Sequence, residues 1–228
     1  MTGEGKRRTF REWIVRVALL LVGLCIAHLG VTLFLQTDLG SDPFNVFVQG
    51  LFRSLPWPAW AAMTHGRVHL LVSLVILLVL LVVDRSYVGV GTVLCMALGG
   101  PVIDLYTLWL SPVIHGGLPL LCRLGLLVAG CLILAFGMTI VIRSQAGTGP
   151  NDLVAVVISD KMKKPFGPVR VVADCAFAGT GLALGGVVGL GTVVCAFLVG
   201  PAAQLFFPAS EKICQIALSH FAGESSRV

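Results

Sequence analysis

Apolar residues along the chain fall into long unbroken runs rather than into short alternating groups. One run extends from Trp13 to Leu35 and another from Leu120 to Ile142. A helix needs about 20 mostly apolar residues to cross a bilayer, and both runs meet that length. The pattern therefore predicts an all-α membrane protein, a polytopic helical bundle.

The first long run and the turn after it occur twice. Residues 16–43 align without a gap with residues 123–150 at an offset of 107, and residues 88–106 match residues 188–206 at an offset of 100. Self-similarity at a fixed spacing is typical of duplicated architectures. The sequence therefore predicts two tandem repeats, each with a long helix, a broken turn, a short helix and two further spans.

The repeats set the expected boundaries along the chain. A polar N-terminal tail covers 1–12, the first repeat 13–110, a linker 111–119, the second repeat 120–207 and a C-terminal tail 208–228. We expect the last of these to be a short amphipathic surface helix with a frayed end.

Composition agrees with a membrane protein, because 57% of residues are apolar and only 12% are charged. Soluble domains carry roughly 25% charge. The formal charge of +5 indicates no nucleic-acid partner, since the basic residues stand at the ends of apolar runs. Seven cysteines without a C-x-x-C pair predict no metal site, and the sequence indicates no cofactor.

Two membrane topologies fit the repeats. If the short helices do not cross, each half has three spans and the halves are inverted; if they cross, each half has four and the halves are parallel. The inverted arrangement places 13 of the 16 Lys and Arg residues on the cytoplasmic side and the parallel one places 14. Arg16 aligns with Arg123, so matched ends carry matched charge, and we expect parallel halves. The N-terminus, the 161–164 loop and the C-terminus are then cytoplasmic.

The two broken turns are the candidate substrate site. Irregular backbone at membrane depth is tolerated only when it is buried in protein or lines a cavity. Helix N-termini that restart there offer free N–H groups. The candidate residues are Gln36, Asp38, Gly40, Asp42, Asn45, Arg143, Gly147, Gly149 and Asp152. The alternative is that they are only caps and turn formers.

We expect the two turns to face each other near the pseudo-symmetry axis, with Arg143 as the main cation of the site. Its partner would be Asp42, Asp152 or Asp38. Three further polar residues fall within apolar spans, namely His28, Asp104 and Asp174. Intramembrane carboxylates are functional candidates. Asp104 could instead lie near the membrane edge, and a hydrogen-bonded core histidine is the plainer interpretation of His28.

The paired motifs LGSDP with VGVGT, and AGTGPND with VGLGT, resemble those of the YczE/YyaS/YitT-type bacterial membrane proteins, closest to the YczE-like branch. The resemblance covers nearly the whole chain. It implies a small multi-pass protein of the bacterial cytoplasmic (inner) membrane from a family that is biochemically uncharacterised. It supplies no catalytic residues.

Two functions are compatible with these features. The internal duplication and broken helices favour a transporter or channel for a small molecule or ion. The alternative is a membrane accessory protein that supports a partner. An enzyme is not expected, because the chain has no H-E-x-x-H, G-x-S-x-G or P-loop motif. The bilayer is the expected environment, and a homo-oligomer or another membrane partner stays open.

Overall fold

A computed structural model describes residues 9–57, 63, 65–112, 114 and 118–222. Within them the chain forms eight α-helices and no strand. The helices are α1 (Phe10–Gln36), α2 (Pro43–Ser54), α3 (His65–Val83), α4 (Val90–Leu110), α5 (Leu120–Ser144), α6 (Pro150–Met162), α7 (Phe166–Ala183) and α8 (Leu190–Ala222). A 3₁₀ turn, Arg85–Tyr87, precedes α4.

Four of these helices, α1, α4, α5 and α8, are long and apolar enough to cross a membrane. A shorter apolar helix covers Arg67–Val83 within α3. The prediction of a polytopic all-α membrane protein is therefore confirmed.

Each long helix ends in a turn that its sequence specifies. Glycine follows the end of α1 at Gly40, with φ of 143°, and the end of α5 at Gly147, with φ of 134°. A residue with a Cβ would be strained at such φ values. Pro43 and Pro150 then occupy the first positions of α2 and α6, where a missing N–H costs no helical hydrogen bond.

The two long helices pack closely and run antiparallel. A Cβ on Gly30 would lie 2.5 Å from the Gly130 carbonyl oxygen, and one on Gly23 would lie 2.9 Å from that of Gly137. The first residues of α1 therefore lie beside the last residues of α5. The expectation that both halves have the same orientation is wrong.

The basic residues at matched ends, on which that expectation relied, cap the neighbouring helix. Arg16 of α1 donates to the Ser144 carbonyl at the end of α5, at 3.1 Å. Arg123 of α5 donates to the carbonyl of Thr37 after α1, at 2.7 Å, and to that of Asp38 at 3.0 Å. A guanidinium is favourable beside the unpaired carbonyls at a helix C-terminus. Arg16 and Arg123 occupy equivalent positions in the two halves because each caps the end of the other long helix.

The fourth helix of each half packs parallel to the long helix of the same half. Leu20 and His28 of α1 lie against Gly91 and Gly99 of α4. In the second half, Leu127 of α5 lies against Gly191 of α8. The largest buried cluster lies around α5 and α8 and includes Phe34, Leu127, Met138 and Val199.

The last helix continues through Pro208 to Ala222, so the predicted separate tail helix is wrong. Ser210, two residues after the proline, is fully buried, and its hydroxyl lies 2.7 Å from that of Thr139. Pro208 removes one backbone hydrogen bond. The residues after it still pack against α5, which holds them in the same helix.

Removing the reciprocal cap tests the antiparallel packing. We expect Arg123→Ala to lower the free energy of unfolding by about 1–3 kcal/mol, because two carbonyls lose a charged donor. Unfolding of the purified protein in detergent measures this. Arg53→Ala is the control, because exposed Arg53 donates to one loop carbonyl, that of Gly185, at 3.0 Å. Equal losses in the two variants would contradict the capping role.

Candidate functional site

The tips of the two broken turns lie at opposite ends of the α1–α5 pair. The Leu39 carbonyl accepts from the N–H of Gly191 at the start of α8, at 2.8 Å. Likewise the Ala146 carbonyl accepts from the N–H of Gly91 at the start of α4, at 2.9 Å. Each turn thus docks on the other half of the chain. The expectation that the tips face each other is wrong, because α1 and α5 are antiparallel.

The starts of the short helices approach one another instead. In the first turn of α6, Asp152 forms an ion pair with Arg170 of α7, at 2.5 Å. Arg170 also pairs with Asp174 one turn later, at 2.9 Å. Phe44, two residues after the α2 N-cap Asp42, contacts Phe177 of α7, with ring centroids 5.3 Å apart, within one turn of Asp174. Both short helices therefore begin beside one charged group, which we call the central triad: Asp152, Arg170 and Asp174.

The central triad is deeply buried. Arg170 is 8% exposed and Asp174 is 1% exposed. The Asp152 side chain is 20% exposed, which makes it the most accessible of the three. Burying an ion pair costs desolvation that only good geometry and further hydrogen bonds offset. An arrangement this costly inside apolar helices is a functional candidate.

Arg143 does not take the predicted role. Its guanidinium pairs with Glu211 of α8 at 3.3 Å and lies 4.9 Å from the centroid of the Phe207 ring. The buried cation beside the short helices is Arg170, which the sequence analysis overlooked. Arg170 lies five residues after the basic KMKKP sequence, in a region where membrane-flanking charges are common. The useful signal was its spacing of four residues from Asp174, which pairs opposite charges on one helix face.

His28 and Asp104 are not among the residues of the central triad. The Nδ1 atom of His28 lies 2.8 Å from the Leu24 carbonyl oxygen, which it meets as a donor in the matching tautomer. Asp104 is exposed on α4. The plainer interpretation of His28, a hydrogen-bonded histidine, agrees with this contact.

Most of the other candidates in the turns form caps and turns. Asp42 accepts from the N–H of Asn45 at 3.1 Å. Asp38 is exposed, with a φ of 51°. Gly149 caps α6 without a side-chain hydrogen bond. The Gln36 amide lies against the end of α4, 3.4 Å from the Thr107 carbonyl oxygen.

A cavity of about 970 Å³ opens beside the second turn. It lies at the end of the bundle that holds Trp13 of α1, and its lining includes Gln145 and Thr148. Phe166 of α7 and Phe207 of α8 also line it, with ring centroids 5.2 Å apart. Arg170 lies one turn further along α7 than Phe166. The cavity reaches Leu153, next to Asp152, but its described lining includes no member of the central triad.

A family model and several relatives match this chain, and their descriptions give no activity. Residues 14–208 match the model described as "Family of unknown function (DUF6198)". An uncharacterized protein of Haemophilus influenzae is 29% identical over 83% of this chain and 82% of its own length. Two proteins of Bacillus subtilis are each 24% identical. The uncharacterized protein YyaS matches over 84% of this chain and 92% of its own length, and the uncharacterized membrane protein YczE over 92% and 93%. No solved structure matches.

Proposed function

The chain belongs to the family of unknown function DUF6198, and on that premise we propose that it is a transporter for a small polar solute or ion. The solute would bind where α2 and α6 begin, beside the central triad. The observation that carries the proposal is that α6 begins at the ion pair of Asp152 with Arg170, and α2 begins against α7 within one turn of Asp174. Transporters commonly bind their substrates at the ends of broken helices near the middle of the membrane.

Inverted halves support this proposal. The reciprocal bonds of Arg16 and Arg123, and those of the two turns, relate the halves by an approximate two-fold axis across the α1–α5 pair. Because α4 runs parallel to α1, the chain between them crosses the membrane once. With 12 residues, α2 is only about 18 Å long and is too short to cross. We therefore propose three spans in each half.

Charge favours one orientation in the membrane. Arg11, Arg85, Lys163 and Lys212 are placed at the end of the bundle that holds the start of α1, whereas Arg53 and Arg123 are at the other end. The positive-inside rule then makes the first end cytoplasmic. Both termini would be cytoplasmic, in a bacterial inner membrane, and the cavity of about 970 Å³ would open to the cytoplasm.

A ligand screen tests the proposal. Purified protein would be heated with panels of inorganic ions, amino acids and small organic ions, because a ligand at 100 times its Kd stabilises by about 2.7 kcal/mol. Compounds that stabilise are then tested for uptake into proteoliposomes. We expect Asp152→Asn to abolish both effects. Asp160→Asn, an exposed acid on the same helix, is the matched control and should keep them.

Two results would contradict the proposal. One is that no compound both stabilises the protein and enters the proteoliposomes. The other is that Asp152→Asn and Asp160→Asn behave alike, which would remove the central triad from the function.

A further inference from the structure

The third helices of the two halves can be aligned with each other, and so can the fourth helices. Residues 65–75 of α3 match 166–176 of α7 at an offset of 101, with Gly66/Gly167 and Val68/Val169 identical. Residues of α4 match those of α8 at an offset of 100. Contacts support the first offset, because Val46 lies against Gly181 and its equivalent, Leu153, clusters with Leu80.

In the second half this helix pair is closed. The N–H of Gly167 donates to the Gln204 side-chain oxygen at 3.0 Å. Gly200 is buried, and a Cβ on it would lie 2.5 Å from the Gly167 carbonyl oxygen and 3.3 Å from the Arg170 Cβ. This contact, which we call the α7–α8 gate, lies directly beside the central triad.

In the first half the equivalent pair is apart. Gly100, the equivalent of Gly200, is exposed, and among the described residues nothing lies within 4 Å of a Cβ built on it. Leu70, the equivalent of Val171, is 56% exposed, whereas Val171 lies 3.1 Å from a Cβ on Gly200. α7 packs along α8, but the described part of α3 makes almost no contact with α4. Equivalent helix pairs in the two halves are thus packed together in one half and separated in the other.

We infer that the two halves exchange these arrangements. In the other state α3 closes on α4 around Gly100 and Asp104, while α7 separates from α8. The inference rests on the proposed transport function and specifies how the solute reaches the central triad. In this structure the α7–α8 gate closes the path from the cytoplasm. The gap between α3 and α4 lies toward the opposite face of the membrane. Exchange would join the cavity of about 970 Å³ to the central triad.

Gln204 and Asp104 are the equivalent polar residues of the two pairs. Asp104 is exposed in this structure and has no role in the buried group. In the exchanged state its carboxylate would take the place that the Gln204 side chain has on α7, accepting from a backbone N–H at the start of α3. That position explains why a carboxylate occurs so far along an apolar helix.

Spin-label distances test the exchange without any solute. In a variant without native cysteines, one pair of labels is placed at 71 and 105 and the equivalent pair at 172 and 205. All four positions face outward, with exposed fractions of 42%, 46%, 69% and 79%. Double electron–electron resonance in nanodiscs measures the distance between the two labels of each pair. One population should match this structure, with a short 172–205 distance and a longer 71–105 distance. We expect a second population with a long 172–205 distance and a short 71–105 distance.

Gln204→Ala removes the acceptor of the Gly167 N–H and should favour the second population. The 172–205 distance should lengthen by several ångströms while the 71–105 distance shortens. Gln215→Ala, an exposed glutamine later in α8, is the matched control and should leave both distances unchanged. Lengthening at 172–205 alone would overturn the inference, as would a single fixed distance for each pair in every variant.

The two proposals fail separately. If the label distances exchange but no screened compound is taken up, the transport proposal is overturned and the exchange between the halves still holds. Uptake by a protein with single fixed distances would overturn only the exchange.

Discussion

Arg170→Met is expected to lower the free energy of unfolding by about 3–5 kcal/mol, the usual cost of removing one partner from a buried ion pair. The change leaves Asp174, only 1% exposed, without its cation, and it removes the link between α6 and α7 through Asp152. Unfolding in mixed micelles measures the loss. The double variant Arg170→Met/Asp174→Leu should lose less, because a buried pair replaced by apolar residues is often nearly neutral.

Arg53→Met is the matched control for this prediction. Arg53 is exposed and donates one hydrogen bond to the Gly185 carbonyl, so its loss should cost no more than about 1 kcal/mol. An Arg170→Met variant as stable as Arg53→Met would contradict a buried central triad. A double variant much less stable than Arg170→Met would also contradict it.

Gly137→Ala is expected to be the most damaging methyl addition in the bundle, with a cost of about 3 kcal/mol, the upper part of the usual range for overpacking. The added Cβ would lie 2.2 Å from the Ala27 nitrogen and 2.6 Å from the Gly23 carbonyl oxygen. Both atoms are backbone, so no side chain can turn away and α1 must separate from α5. Unfolding in detergent would show the change.

Gly125→Ala on the same helix gives an opposite expectation. Among the described residues nothing lies within 4 Å of a Cβ at Gly125. Alanine is more favourable than glycine inside a helix, by roughly 0.5–1 kcal/mol. This variant should therefore be slightly more stable than the parent. Equal destabilisation by both substitutions would show that the loss at Gly137 does not come from contact with α1.

The sequence predicted the elements well where local chemistry decides them. The Gly-containing turns and the prolines at 43 and 150 mark where α2 and α6 begin, and helices begin there. Apolar length alone indicated the spans. Pro208 is the exception, because contacts of Ser210 with α5 hold a helix that local preference would end.

The orientation of the halves depended on contacts that no single segment contains. Arg16 and Arg123 have the appearance of membrane-flanking charges, but each caps the C-terminus of the opposite long helix. The central triad likewise depends on contacts between segments that are distant in the sequence. Asp152 was predicted from its position in the second turn, whereas Arg170 lies 18 residues later and becomes its partner only when α7 folds back on α6.

The inverted arrangement of the halves is the central claim, and cysteine accessibility at equivalent positions tests it most directly. Leu55 after α2 and Met162 at the end of α6 are equivalent at an offset of 107, and both are exposed, at 43% and 60%. In a variant without native cysteines, each would be replaced by cysteine and treated with a membrane-impermeant maleimide on intact cells. Inverted halves predict labelling at 55 from outside and at 162 only after the membrane is permeabilised. Labelling of both positions from the same side would contradict the account.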